Sequence, residues 1–355
     1  MWKIIEKEDI DAVSQMEWFV YNHVNGHFMQ TASWSQVKTF WDWCGISIWK
    51  QGEIIGTMLV LIRRLPLGFS VMYAPRGPVC DRNDPTVWEE LMEALQYIAK
   101  EKRALLLHLD PDEDDSNTQF RQLMYSLGFL EKADDGFGNI QPQYVFRLQL
   151  QGRTKDEIFR SFGTKTRYNI GLSLRKDIIV REYTGAEQIP AYIMRDFYTL
   201  MQTTGMRDRF YIRDITYFKG LMAALRENAQ IYVAYYHDEP IAGAIEVFCG
   251  NKAWYLYGAS ANEYRNVMPN YLLQWVMIQR AKERGCGIYD FRGVPGAVSK
   301  EDPLYGLYRF KKGFSGTYTK FTGLFTYSFR PLLCKLWNIG MKLRKRLRAP
   351  TRNNG

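Results

Sequence analysis

A chain of 355 residues, 46% hydrophobic and 24% charged, is about twice the roughly 150 residues of one usual core and too apolar for disorder, so two lobes are expected. Its five cysteines, Cys44, Cys80, Cys249, Cys286 and Cys334, never fall at CxxC or Cys/His ligand spacing, which argues against a disulfide frame or zinc site and for buried free thiols. The net charge of +9 sits at one end: from Pro303 onward there are twelve Lys or Arg and no acid, leaving 35 basic against 38 acidic residues in the body.

Met1-Trp2-Lys3-Ile4-Ile5-Glu6 carries no charged segment leading into an apolar stretch, so no secretory signal is expected and the cytoplasm is the expected compartment. Nor does any uncharged apolar run near the ~20 residues needed to span a bilayer; Ile54 to Ile62 lies between Glu53 and Arg63. A helix is expected from about Ser33. Ile46 to Trp49, the turn Lys50-Gln51-Gly52-Glu53 and the run from Ile54 to Arg63 predict a hairpin, followed by a helix over Val87 to Lys102 and a strand over Ala104 to Asp110. After an apparent strand at Tyr144 to Leu148, polar residues from Gln149 to Thr154 mark a boundary. The pattern then recurs: Ile231 to Tyr236, the turn His237-Asp238-Glu239-Pro240, Ile241 to Cys249, a helix over Asn270 to Arg284, and a strand over Gly287 to Phe291. This echo predicts a mixed α/β chain of two similar units rather than a Rossmann sheet. Units of this kind suggest the acetyltransferase fold. The glycine-rich turn that receives a coenzyme A pyrophosphate is missing, however: the equivalent place reads Arg265-Asn266-Val267-Met268-Pro269-Asn270, so coenzyme A is not the expected donor.

Several stretches, weak singly and specific in this order, resemble the Fem family of non-ribosomal peptidyltransferases over nearly the whole chain. They are Phe28 to Lys38, Tyr73-Ala74-Pro75-Arg76-Gly77-Pro78, Lys165 to Ile170, Arg207-Asp208-Arg209-Phe210, Tyr255 to Ser260, Tyr289-Asp290-Phe291-Arg292-Gly293-Val294, and Leu307 to Phe314. The resemblance implies two tandem acetyltransferase-like (GNAT-like) domains, 1–150, with 318–345 as a candidate completion, and 151–317, followed by a basic tail at 331–355. Sustained heptads for the coiled-coil arm of larger members are lacking, which points to the compact, FemX-like subgroup. The implied reaction moves glycine, alanine or serine from aminoacyl-tRNA to the stem-peptide amine of a muramyl-pentapeptide precursor, nucleotide-linked or lipid-linked, with aminoacyl-tRNA as co-substrate and no cofactor.

By the same resemblance Lys38 and Arg207 bind the precursor's diphosphate, with Tyr211 beside them, and Arg76 is a candidate for the same cleft. Read on their own, Lys38 is equally a solvated lysine, Arg207 a partner of Asp208, and Arg76 a loop cap. Lys311, within Phe310-Lys311, is implied at the acyl-transfer centre, facing the developing oxyanion; by itself it reads as a lysine on a basic strand rim. Asp110 is the implied carboxylate for proton removal, although an Asp before Pro111 is also ordinary turn chemistry. Tyr257 and Tyr255, two apart, are expected on one face of a strand, as substrate neighbours or as a buried ladder. His108 is expected to be structural, and no covalent acyl-enzyme is expected. The basic tail suits tRNA phosphates or, through Leu332, Leu333, Leu336, Trp337, Ile339 and Leu343 among its cations, an anionic membrane surface. Two other functions fit the same features: a tRNA-binding scaffold without turnover, and an acyltransferase for a non-muropeptide amine.

Overall fold

Residues 1–132, 140–185, 189–296 and 298–337 are described by a computed structural model. Its first half runs β1 (Trp2–Ile5), α1 (Ile10–Asn22), α2 (Ala32–Val37), β2 (Asp42–Lys50), β3 (Glu53–Arg64), β4 (Ser70–Ala74), β5 (Val79–Cys80), α3 (Pro85–Glu101), β6 (Ala104–Leu109), α4 (Thr118–Ser126) and β7 (Leu130–Lys132). The second continues with β8 (Tyr144–Gln149), α5 (Lys155–Ser161), α6 (Thr164–Leu174), β9 (Ile179–Thr184), α7 (Ala191–Asp208), α8 (Ile215–Leu225), β10 (Ala229–Tyr236), β11 (Glu239–Cys249), β12 (Lys252–Ser260), α9 (Pro269–Glu283), β13 (Ile288–Gly293), α10 (Tyr305–Lys312), β14 (Thr317–Lys320) and β15 (Leu324–Ser328).

The local signals explain the elements. Asp84 caps α3 by accepting from the Thr86 N–H, Pro85 supplies the fixed φ of a first turn, and Val87, Trp88, Leu91, Leu95 and Ile98 bury one face. Two sheets result, ordered β1-β2-β3-β4-β6-β15-β7, with β5 also on β3, and β14-β8-β13-β12-β11-β10-β9. The strand at Tyr144–Gln149, read from sequence as the end of the first lobe, pairs with β13 and β14 and so lies in the second sheet. After β14 the chain returns, and β15 inserts between β6 and β7 of the first. All five cysteines are buried and free. His108 holds the Thr326 hydroxyl at 2.9 Å, tying β6 to β15. Among the described residues the longest helix, Ala191–Asp208, has 18 residues, and no coiled-coil arm is present. None of their helices is long and apolar enough to cross a membrane. Residues 331–337 are helical; the remainder of the basic tail lies outside the described residues.

Each sheet buries one face beneath its own crossover helix, α3 or α9, and the core between the lobes joins them. There Phe28 of the first lobe meets Trp254 of β12 edge to face at 5.0 Å and Trp34 of α2 at 5.2 Å. Such pairs add about 0.5–1.5 kcal/mol each to the burial of the rings themselves, and all three rings are buried.

Candidate functional site

The two sheets differ where their parallel strands meet. In the first, β4 and β6 stay paired through Ala74 and Leu109. In the second, β12 and β13 pair only from Lys252–Trp254 to Ile288–Asp290, then diverge. A bulge falls in β12 at this point: Ile245 pairs with Tyr257 but Glu246 with Tyr255, leaving Leu256 as the extra residue. The alternation is therefore broken, and Tyr255 and Tyr257 do not share a face. Tyr255 packs into the core beneath α9, whereas Leu256 and Tyr257 pack into the core between the lobes. Tyr255 brings its hydroxyl end over Gly258, where a Cβ would overlap it.

Lys311 is at this opening. Phe310 and Lys311 lie on the helix α10, not on a strand rim; Phe310 packs edge-on against Tyr271 at 5.0 Å while Lys311 turns inward, 5% exposed. Its Nζ donates to the Gly293 carbonyl at 2.8 Å and lies 5.7 Å from the Tyr255 ring centre. Burial lowers the Lys311 ammonium to about 7, with Asp290 favouring the charged form and Arg292 opposing it. An amine so placed can be neutral or cationic near neutral pH, as a site that meets transient negative charge requires.

On the lobe-interface side, Lys38 caps the end of α2 with its Nζ 4.5 Å over the Trp34 ring. Burial, then repulsion from Arg213 and Arg292, lowers it to about 8. Arg292 is itself lowered to about 10, first by burial and then by Arg76. It adopts φ 60°, a left-handed conformation uncommon for a non-glycine residue, and donates to Gln141 at 2.9 Å. Arg213 stacks on Tyr211 and Tyr217 at 5.8 and 5.5 Å, and the Tyr217 and Tyr257 hydroxyls meet at 3.1 Å. Burial raises both tyrosines, so these hydroxyls stay protonated. Lys38, repelled by both arginines, and the two phenols beside it form a donor set whose chemistry suits a multiply charged anion.

Of the sequence candidates, Lys38, Tyr257, Tyr255 and Lys311 gather around the opening. Arg207 turns elsewhere: its guanidinium donates to Asp208 at 3.0 Å, to the Ser260 carbonyl at 3.1 Å and to Asn262 at 3.2 Å, pinning the end of α7 to the end of β12. Tyr211, four residues on, is 82% exposed. Asp110 is 3% exposed, with its oxygens taken by the Tyr73 hydroxyl at 2.9 Å and the Arg76 N–H at 3.1 Å, and burial raises its carboxyl. Arg76 donates to the carbonyls of Asp110 at 3.2 Å and Pro142 at 2.6 Å. Together these groups hold the loop that faces Arg292. Arg213, Arg292, Tyr217 and Tyr73 were missed in the sequence reading; Arg292 stands in a motif already singled out, between Phe291 and Gly293, and only its backbone conformation reveals its aim. Among the described residues no group of His, Cys, Asp or Glu is placed to hold a metal ion.

With this geometry in hand, similarity to known proteins is informative. The FemAB family model matches residues 12–239 and 235–342. The lipid II:glycine glycyltransferase of Staphylococcus saprophyticus is 29% identical over a gapped alignment 398 positions long, covering 92% of this chain and 94% of that protein. The Staphylococcus aureus protein of the same name is 27% identical, covering 90% and 92%. The crystal structure of FemX has a TM-score of 0.85 at 26% identity over 94% of this chain and 99% of that one. A tandem GNAT protein of the clavulanic acid pathway, TM-score 0.53 at 9% identity, shares the fold alone. Since the family model runs through both lobes and across the divergence of β12 and β13, the chain belongs to the FemAB family.

Proposed function

We propose that this protein is an aminoacyltransferase that moves glycine from aminoacyl-tRNA onto the stem-peptide amine of a peptidoglycan precursor during synthesis of a cell-wall interpeptide bridge. The observation that carries this reading is the buried Lys311 amine at the mouth of the diverging strands, next to the cation group Lys38, Arg213 and Arg292. In acyl transfer the acceptor amine attacks the ester carbonyl; a C–N bond forms, the C–O bond to the tRNA ribose breaks, and the amine's proton ends on the ribose oxygen. Lys311 faces the oxyanion of the tetrahedral intermediate, and the cation group receives the precursor's diphosphate. Asp110, which accepts from the Tyr73 hydroxyl and the Arg76 N–H, orders the Arg76 loop. Aminoacyl-tRNA serves as co-substrate without a resident cofactor. The names of the staphylococcal relatives support glycine and a lipid-linked acceptor, and with them a peripheral position at the inner face of the membrane.

The test mixes the purified protein with tRNA charged with labelled glycine, alanine or serine and with lipid-linked or nucleotide-linked muramyl-pentapeptide. Glycine transfer to the lipid-linked acceptor, lost in Lys311→Ala, is expected. Binding of tRNA without transfer to either acceptor would overturn the reading in favour of a scaffold.

A further inference from the structure

Asp290 is the last residue of β13 that pairs with β12 before the strands part, opposite Trp254 on one side and Arg147 on the other. It is 2% exposed. One oxygen, Oδ1, accepts from the Arg292 N–H at 2.6 Å and so closes the left-handed turn that aims Arg292 at the cleft. The other, Oδ2, accepts from Arg147 Nε at 3.0 Å. Arg147 reaches on to Asp112 of the first lobe at 2.9 Å, and Asp112 is also met by Arg82 at 2.8 Å and by Lys252 at 3.7 Å. Arg82 ends the series on Glu113 at 3.1 Å. Burial alone would raise Asp112; the charges of Lys252, Arg82 and Arg147 together hold it well below the usual carboxylate range. Three cations and three carboxylates thus form a buried, nearly neutral relay between the lobes, and its final carboxylate faces the site.

We propose that Asp290 is the positioning residue of the acyl-transfer site: its Oδ1 closes the turn that aims Arg292, and that turn leads directly into the Gly293 carbonyl that holds Lys311. The inference rests on the transfer reading for the meaning of Lys311. Among the described residues, the charged and titratable groups that face Lys311 are Asp290 and Arg292 from β13 and Tyr255 from β12. Asp290 is the only anion of the three, so altering its charge must move Lys311 in a defined direction. Asp290→Asn keeps an oxygen for the Arg292 N–H and removes the charge, so Lys311 becomes more acidic. Arg147→Met frees the Asp290 carboxylate from its partner, and Lys311 becomes less acidic.

Ionisation of Lys311 is read by competitive acetylation with acetic anhydride across the pH range, followed by mass spectrometry, with the exposed Lys312 as internal reference; neither tRNA nor acceptor is needed. The midpoint is expected to fall by about one pH unit, a tenfold change in the proton equilibrium, in Asp290→Asn and to rise in Arg147→Met. The pH limb of glycyl transfer should follow. Opposite shifts in the two variants cannot come from general damage to the fold. A midpoint unmoved in both variants, each folded by circular dichroism, would overturn the role of Asp290. Shifts of the expected sign in a protein that transfers no amino acid would keep the electrostatic coupling and overturn the transfer reading instead.

Discussion

Replacing Lys311 by methionine separates what this residue does for the reaction from what it costs the fold. Its ammonium is lowered from 10.5 to about 7. At ~1.4 kcal/mol per unit, confining that charge in the folded state costs on the order of 4–5 kcal/mol. Methionine has similar reach and no charge, but it leaves the Gly293 carbonyl without its donor, a loss of about 1–3 kcal/mol. The net expectation is a gain of ~1–4 kcal/mol for Lys311→Met under acidic conditions. The sign follows from the two proton affinities: the folded state binds the proton more weakly than the unfolded chain, so the penalty is complete below about pH 7 and fades between 7 and 10.5. Urea unfolding near pH 6, 8 and 10.5 should therefore show the variant more stable than wild type at pH 6, with the advantage lost or reversed at the top. Transfer should meanwhile fall by about 10²–10³-fold, the usual effect of removing one oxyanion partner. A variant less stable than wild type at every pH would refute the claim that Lys311 is held against a burial penalty for the sake of the reaction.

Arg213 and Arg207 should behave differently. Arg213→Gln is expected to weaken binding of a diphosphate-bearing acceptor by about tenfold and to flatten its salt dependence, whereas Arg207→Gln, which breaks the anchor to Ser260 and Asn262, should lower the melting temperature; calorimetric titration at two ionic strengths beside thermal melts checks both. Gly258→Ala places a methyl group onto the Tyr255 hydroxyl and should cost at least about tenfold in transfer with the fold retained, through displaced packing beside Lys311. Tyr255→Phe in the same chain should recover part of it, and a single variant as active as wild type would remove Tyr255 from the account.

Much of this was legible because it is local. Asp84-Pro85 begins a helix wherever an apolar stripe follows, and the turns at Lys50 to Glu53 and His237 to Pro240 close hairpins between β-rich runs. What escaped depends on partners distant in sequence. The strand Tyr144–Gln149 looks the same in either sheet, and its membership is decided by β13 and β14, more than a hundred residues later. Spacing by two implies one face for Tyr255 and Tyr257, but the bulge that separates them exists only in register with β11. Phe310 and Lys311 read as strand because they sit in an aromatic, basic run; docking across the opening makes that run helical, with Lys311 the buried residue of α10. Arg292 and Arg213 look like ordinary surface cations until the backbone at Asp290 to Gly293 and the loop before α8 are fixed.

The repeated architecture also explains why only one lobe carries the opening. In the first lobe the main chain around Leu59 is met by a side chain: the Gln30 amide accepts from the Leu59 N–H at 2.9 Å and donates to the Pro75 carbonyl at 2.8 Å. Gly77 lies directly against that amide, where a Cβ would come within 2.6 Å. Gln30 thus serves as an added rung between β3 and the loop after β4, and it satisfies backbone groups that an open cleft would leave to water. In the second lobe it is β12 and β13, the counterparts of β4 and β6, that part after Trp254 and Asp290, and the groups at the gap are the side chains of Tyr255, Tyr257, Arg292 and Lys311. A sealed first lobe is free to contribute walls: Lys38 from the end of α2 and the Asp110–Arg76 loop that faces Arg292. The site therefore belongs to neither lobe alone, and the buried relay from Arg82 to Asp290 is what keeps the two halves of it in register.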